Sequence, residues 1–251
     1  MSKAFQSASY RSGDWFDHDQ QRTEMMEIPL FPLKNIVLFP GMVLPLHIFE
    51  LRYREMITHC NREKTPFGVV LIKEGQEVGD LLGSPVVPHS IGTLAKIIRV
   101  ENLDDGCMNI TTIGVERFII EQIQQTQSYL TATVRTLPII NGSTKVANEL
   151  AQKMRPRLYQ YVELLAKANN TDLKLDRLPE EPMTLAFLVA IALQVSPNEK
   201  QTLLERPGVP EILVGELNLL AHESMLLRYM VETQAEMQTM NAGMTGGIFP
   251  N

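Results

Sequence analysis

The chain has 251 residues, 44% hydrophobic and 21% charged, with a formal net charge of -6. This composition is globular rather than disordered, and the length suffices for one large or two small domains with a real core. The acidic balance argues against a nucleic-acid partner, because neutralising phosphates takes clustered Lys and Arg, and two cysteines give no disulfide framework and fit a reducing compartment.

Residues 1–26 include Asp14, Asp17, Asp19 and Glu24 and lack an apolar core of signal-peptide length, so they read as a mobile polar extension. Their acidity speaks against a transit peptide. The expected location is the cytoplasm, with an organelle stroma or matrix as the other compartments that fit. From Glu27 to Tyr53 an apolar run, EIPLFPLKNIVLFPGMVLPLHIFELRY, is punctuated by Pro29, Pro32, Pro40, Pro45 and Gly41. Proline fixes φ and removes a backbone donor, so the run predicts short strands joined by sharp bends.

A helix is predicted from Glu50 to Arg62. Strands are predicted at Phe67 to Ile72, Leu94 to Asn102, Met108 to Ile113, Val115 to Ile123 and Tyr129 to Leu137, all rich in β-branched residues. Asp104-Asp105-Gly106 supplies the positive φ of a tight hairpin. Short strands around one helix predict a closed or partly closed barrel over residues 27–140.

After Asn141-Gly142-Ser143 the pattern turns helical, giving an α+β chain whose residues 145–240 form a helical bundle. Val146 to Ala168 and Met183 to Gln194 carry good helix formers with apolar residues at helical spacing. Ser196-Pro197-Asn198-Glu199 reads as a capping box with proline in the first turn, starting a helix that stops before Pro207-Gly208. A last helix is expected after Pro210, with Leu213, Leu217, Leu220, Leu227 and Val231 on one face, and a loose tail from 241 to 251. The longest apolar stretch, Met183 to Val195, is shorter than the roughly 20 residues that cross a bilayer, so it predicts a buried helix and no membrane partner.

No catalytic, cofactor or metal site emerges. His47, His59, Cys60, His89, Cys107 and His222 follow no zinc-ligand spacing, and Cys60 and Cys107 read as small packed side chains rather than nucleophiles. Glu180-Glu181 precedes Pro182 at a helix start, where acids are favoured, and Asp104-Asp105 is explained by its hairpin.

Several segments together resemble the N-terminal, substrate-binding domain of the ATP-dependent Lon protease. Pro29 to Leu33, Leu38 to Gly41 and Leu44 to Leu46 match its opening Pro-Leu-aromatic-Pro-Leu stretch, Leu-Phe-Pro-Gly turn and Leu-Pro-Leu. Ile91-Gly92-Thr93-Leu94-Ala95, Asp104-Asp105-Gly106 and Ile113-Gly114-Val115-Glu116-Arg117-Phe118 look like its Gly-Thr strand, Asp-Gly hairpin and Gly-x-x-Arg-Phe strand in order. The likeness is strong from Ile28 to Pro138 and weak across the helical remainder. It implies a PUA-like β-barrel with one short helix, followed by the helical bundle.

A full Lon protease also carries an ATPase module and a Ser-Lys peptidase domain, for which these 251 residues leave no room. There is no G-x-x-x-x-G-K-[ST] phosphate loop; Asn141-Gly142-Ser143 and Gly246-Gly247 lack its spacing. The resemblance therefore implies a stand-alone, non-catalytic substrate-binding protein. Its expected partners are unfolded or partly folded polypeptides and an ATP-dependent protease. A PUA-like RNA-binding protein and an undetected hydrolase are the alternatives.

The candidate polypeptide-binding residues border the opening bend: Phe39, Met42, His47, Phe49, Glu50, Arg52 and Tyr53. Adaptable Met and aromatic groups suit weak capture of apolar chains if they are exposed; the alternative places Phe39, Met42 and Phe49 in the barrel core. Arg117 matches the family's Gly-x-x-Arg-Phe strand and is expected to be a buried fork tying neighbouring loops together.

Overall fold

A computed structural model describes residues 25–75, 86–125, 127–172, 175 and 177–244. Its first part holds β1 (Met25–Leu33), β2 (Val43–Ile48), α1 (Leu51–Glu63), β3 (Phe67–Glu74), β4 (Val87–Pro88), β5 (Ile91–Asn102), β6 (Met108–Gln124) and β7 (Thr131–Thr136). Four helices follow: α2 (Lys145–Ala168), α3 (Pro182–Ala192), α4 (Pro197–Leu204) and α5 (Val209–Met244).

The sheet runs β1-β7-β6-β5-β3, and β3 returns to pair with β1, closing a five-stranded barrel. The first strand divides its pairing. Met25–Pro29 run antiparallel to β7, and Leu30–Leu33 run parallel to β3. Met25 and Met26 thus belong to the barrel rather than to the polar extension, whose residues 1–24 lie outside the described residues. Each half of β1 has a ladder on one side only, which is where a proline without an N–H is tolerated.

Gly41 makes the bend into β2. It has φ +80°, and its N–H donates to the Gly114 carbonyl (2.8 Å), while the Gly114 N–H donates to the Met42 carbonyl (2.9 Å). Two residues therefore oppose one, a β-bulge with glycine in the left-handed position. A Cβ on Gly41 would meet nothing within 4 Å. The expected loss for Gly41→Ala, about 1–2 kcal/mol, is consequently backbone strain alone. Urea unfolding measures it, and an unchanged midpoint would contradict the assignment.

The two runs expected on either side of Gly114 form one 17-residue strand. Gly114 stays in the ladder opposite Ala95, and the absent side chain lets the Phe39 backbone pass directly over it. Gly106, with φ +78°, closes the β5–β6 hairpin as expected.

Helix boundaries fall close to the sequence reading, with one informative shift. The last helix starts at Val209, so Pro210 lies within its first turn, where no N–H is required. It continues to Met244, past the expected end of the bundle, and residues 245–251 lie outside the described residues. The capping box of α4 is complete: Ser196 Oγ accepts from the Glu199 N–H (3.3 Å), and the Glu199 carboxylate accepts from the Ser196 N–H (2.9 Å).

Within the helices, Ala147, Ala151, Met154, Leu158 and Tyr161 of α2 form one buried stripe at 3–4 residue spacing, packed with α3 and with Leu213, Leu217 and Leu220 of α5. This core also takes in Val37, Phe39 and Leu71 from the barrel side. The Phe39 and Phe187 rings meet at 6.3 Å, joining the two parts.

Polar contacts reinforce the junction. Arg117, 1% exposed, reaches from β6 into the helices: Nη1 donates to the carbonyls of Leu204 and Arg206 (2.6 Å each), and Nη2 to that of Pro138 (3.1 Å). It is the buried fork expected, and it works through carbonyls alone. Gln201 Nε2 donates to the Ile91 carbonyl (3.0 Å), and Ile140 pairs through its backbone with Pro207 and Val209.

Candidate polypeptide-binding surface

The opening bend separates the seven candidate residues into a packed set and a set at the surface, in which His47 and Phe49 are exposed and Glu50 and Arg52 half-buried. Phe39 is 1% exposed and Tyr53 6%. Phe39 fills the barrel–helix junction, and Tyr53, on the inner face of α1, packs on Phe31 at 4.4 Å between ring centroids. Both are core residues, which corrects their place among the binding candidates. Met42 is half-buried and packs against both the barrel core and the helical core, so the junction is filled rather than open.

The other four lie at the surface where β2 passes into α1. His47 alternates with the buried Leu44 and Ile48 and so faces outward; its Nδ1 pairs with Asn109 Oδ1 at 2.8 Å. The Phe49 ring, 57% exposed, stacks near the His47 ring at 6.2 Å. Glu50 precedes the first turn of α1 and accepts from Arg52 Nε at 2.8 Å, and the Arg52 guanidinium lies over the Tyr53 ring at 4.5 Å. Arg52 is thereby held along α1, leaving the apolar Phe49 uncovered.

Residues that the sequence reading missed complete the surface. Val43 is 55% exposed and Leu51 66%, so β2 and the start of α1 present Val43, Phe49 and Leu51 to solvent within nine positions of chain. On the same outward face as Val43, β2, β6 and β5 carry a groove of about 340 Å³ whose lining includes Pro45, His47, Asn109, Thr111, Arg99 and Glu101. Strand alternation was available to flag Val43, since it shares the outward register of His47. Asn109 and Arg99 arrive through long-range pairing, with His47 opposite Asn109 and Thr111 opposite Arg99, which no local pattern signals.

The described residues contain no group of three His, Cys, Asp or Glu placed to hold a metal ion, and none of their helices is long and apolar enough to cross a membrane. Burial pushes the Cys60 thiol up to about 11, and burial followed by the Asp105 carboxylate also raises Cys107. Both thiols are therefore protonated near neutral pH and poorly suited to nucleophilic work.

The model of the ATP-dependent protease La (LON) substrate-binding domain matches residues 27–222. The chain belongs to the Lon substrate-binding domain family. Lon protease 2 of Syntrophobacter fumaroxidans is 31% identical over 72% of this chain and 22% of that protein. Lon protease of Paraburkholderia phytofirmans is 30% identical over 81% of this chain and 25% of its own length. The chain thus spans about a quarter of the curated relatives it matches. Two solved structures share the fold: a Lon N-terminal domain protein from Xanthomonas campestris (TM-score 0.58, 22% identity, 77% of this chain and 98% of that one), and the N-terminal domain of a Mycobacterium avium complex Lon protease (TM-score 0.60, 19% identity, 78% and 98%).

Proposed function

We propose that this Lon-family chain is a non-catalytic polypeptide-binding or adaptor protein that recognises exposed hydrophobic segments of unfolded clients. Exposed Val43, Phe49 and Leu51, on the strand that borders the groove and on the segment that follows it in a substrate-binding-domain fold, carry this reading. Exposed apolar side chains at both ends of β2 and at the start of α1, with the polar groups of His47, Glu50 and Arg52 between and beside the last two, suit weak, sequence-tolerant capture of unfolded chain. Delivery to an ATP-dependent protease in the cytoplasm is the role this binding would serve.

The experiment is fluorescence anisotropy with a labelled, permanently unfolded protein, comparing wild type with Phe49→Ser/Leu51→Ser. Both side chains are exposed, so the variant should keep the wild-type circular dichroism and melting temperature. At least a tenfold weakening of binding is expected, and unchanged affinity would move the site elsewhere.

A further inference from the structure

We infer that a client segment is held as an added strand along the free edge of β2; the inference rests on the polypeptide-binding reading above and specifies its mode. Among the described residues, β2 pairs with β6 on one side and with no strand on the other. The register defines what that edge offers. Gly114 donates to the Met42 carbonyl, so Met42 and Gly114 are a hydrogen-bonded pair, and alternation carries the same orientation to Leu44, Leu46 and Ile48. The backbone groups of Val43, Pro45 and His47 consequently turn the other way. Pro45 agrees with this, since its missing N–H then costs the β6 ladder nothing. The edge presents the carbonyls of Val43, Pro45 and His47 and the N–H groups of Val43 and His47.

The opposite margin of the same three-stranded extension is guarded. There β5, beyond its pairing with β3, carries Lys96, Arg99 and Glu101 and a register shift between Ile97 and Arg99, devices that discourage edge-to-edge pairing. Between Val43 and Ile48, β2 has no Lys, Arg, Asp or Glu, and its only such device is Pro45. Its exposed apolar groups, Val43 at the start of the strand and Phe49 and Leu51 just beyond its end, are available to side chains at the two ends of an added strand.

The edge chemistry selects the occupant. A helix or a folded sheet interior has already satisfied its own N–H and C=O groups, whereas an unfolded segment has them free. A segment bound this way is recognised mainly through its backbone, which is how a single site can take clients of many sequences. Apolar side chains at every second position would add to the fit.

The test uses a labelled ten-residue peptide alternating valine and threonine, unmodified or N-methylated on one alternate set of residues or on the other. Strand addition predicts that one methylated set binds at least tenfold more weakly while the other binds like the unmodified peptide. His47→Pro, at a position not bonded to β6, is expected to weaken binding at least tenfold. His47→Ala, which loses the same side-chain contacts to Asn109 and Phe49 but keeps the N–H, should weaken binding at least threefold less than His47→Pro does. Binding indifferent to both methylation patterns would overturn strand addition and leave polypeptide binding standing. Failure of the wild-type chain to bind the unmodified peptide, together with failure to bind unfolded protein, would overturn both.

Discussion

Replacing Arg117 with methionine is expected to destabilise the fold by about 2–4 kcal/mol, because it keeps the side-chain length but leaves the buried Leu204 carbonyl and the part-buried carbonyl contacts to Arg206 and Pro138 without their charged donor. Two of those carbonyls, Leu204 and Arg206, sit at and just beyond the C-terminal end of α4, where a cation also meets the negative end of the helix dipole. The third, Pro138, lies on the segment leaving β7, so one guanidinium ties strand, linker and helix together. Burial lowers its pKa to about 10, which still leaves it charged at neutral pH. A lowered pKa on a base changes stability only between the folded and unfolded values, so this contribution should be flat from pH 5 to pH 9. Arg117→Lys keeps the charge but loses the planar fork and should fall between wild type and methionine. Guanidinium unfolding decides it: a loss below about 1 kcal/mol for the methionine variant would mean that the carbonyls find other donors.

Glu216 carries the second large effect. It is fully buried in α5 among Leu213, Leu217 and Leu220, and among the described residues neither carboxylate oxygen has a partner at full hydrogen-bond geometry, the Ala190 backbone being the polar group that comes into range. Burial pushes its carboxyl well above the usual 4.5, with the Ala190 backbone offsetting only part of the rise. The folded chain therefore holds a neutral carboxylic acid where the unfolded chain ionises. Folding takes up a proton above the unfolded pKa, so stability falls as pH rises, by about 1.4 kcal/mol per unit until the folded pKa is reached. Glu216→Gln should remove this slope. Near pH 4.5 it should be close to wild type, and its stability advantage should grow as pH rises toward 8, read from denaturation midpoints across the range. Parallel pH profiles for the two proteins would show that the carboxyl finds a partner in solution.

These two residues illustrate what the sequence disclosed. Arg117 stood out through its family strand and the cost of burying an arginine, but its partners lie 21 to 89 positions away and come from the return of the helices onto the barrel. Glu216 was discoverable and missed: position 216 falls between Leu213 and Leu217 on the same stripe, so helical geometry alone put an acid on the buried face. The barrel strands, the hairpin and the α4 capping box were legible because local chemistry sets them. The parallel β1–β3 closure was not, since neither strand records its partner. Phe39, Tyr53, Phe49 and Leu51 are similar in kind along the chain, and only the bulge at Gly41 and the rotation of α1 decide that the first pair is packed and the second exposed. The binding candidates were thus placed in the right segment, with the core and surface members mixed.

The central claim is that unfolded polypeptide docks on the surface running from β2 into the start of α1. Site-specific photo-crosslinking tests it most directly, with a photoreactive residue at exposed Leu51 and a control at exposed Lys167 on α2, each offered one protein in native and in permanently unfolded form. The account predicts adducts at 51 with the unfolded form only and background at 167; equal yields at the two positions, or adducts at 51 with the native form alone, would contradict it.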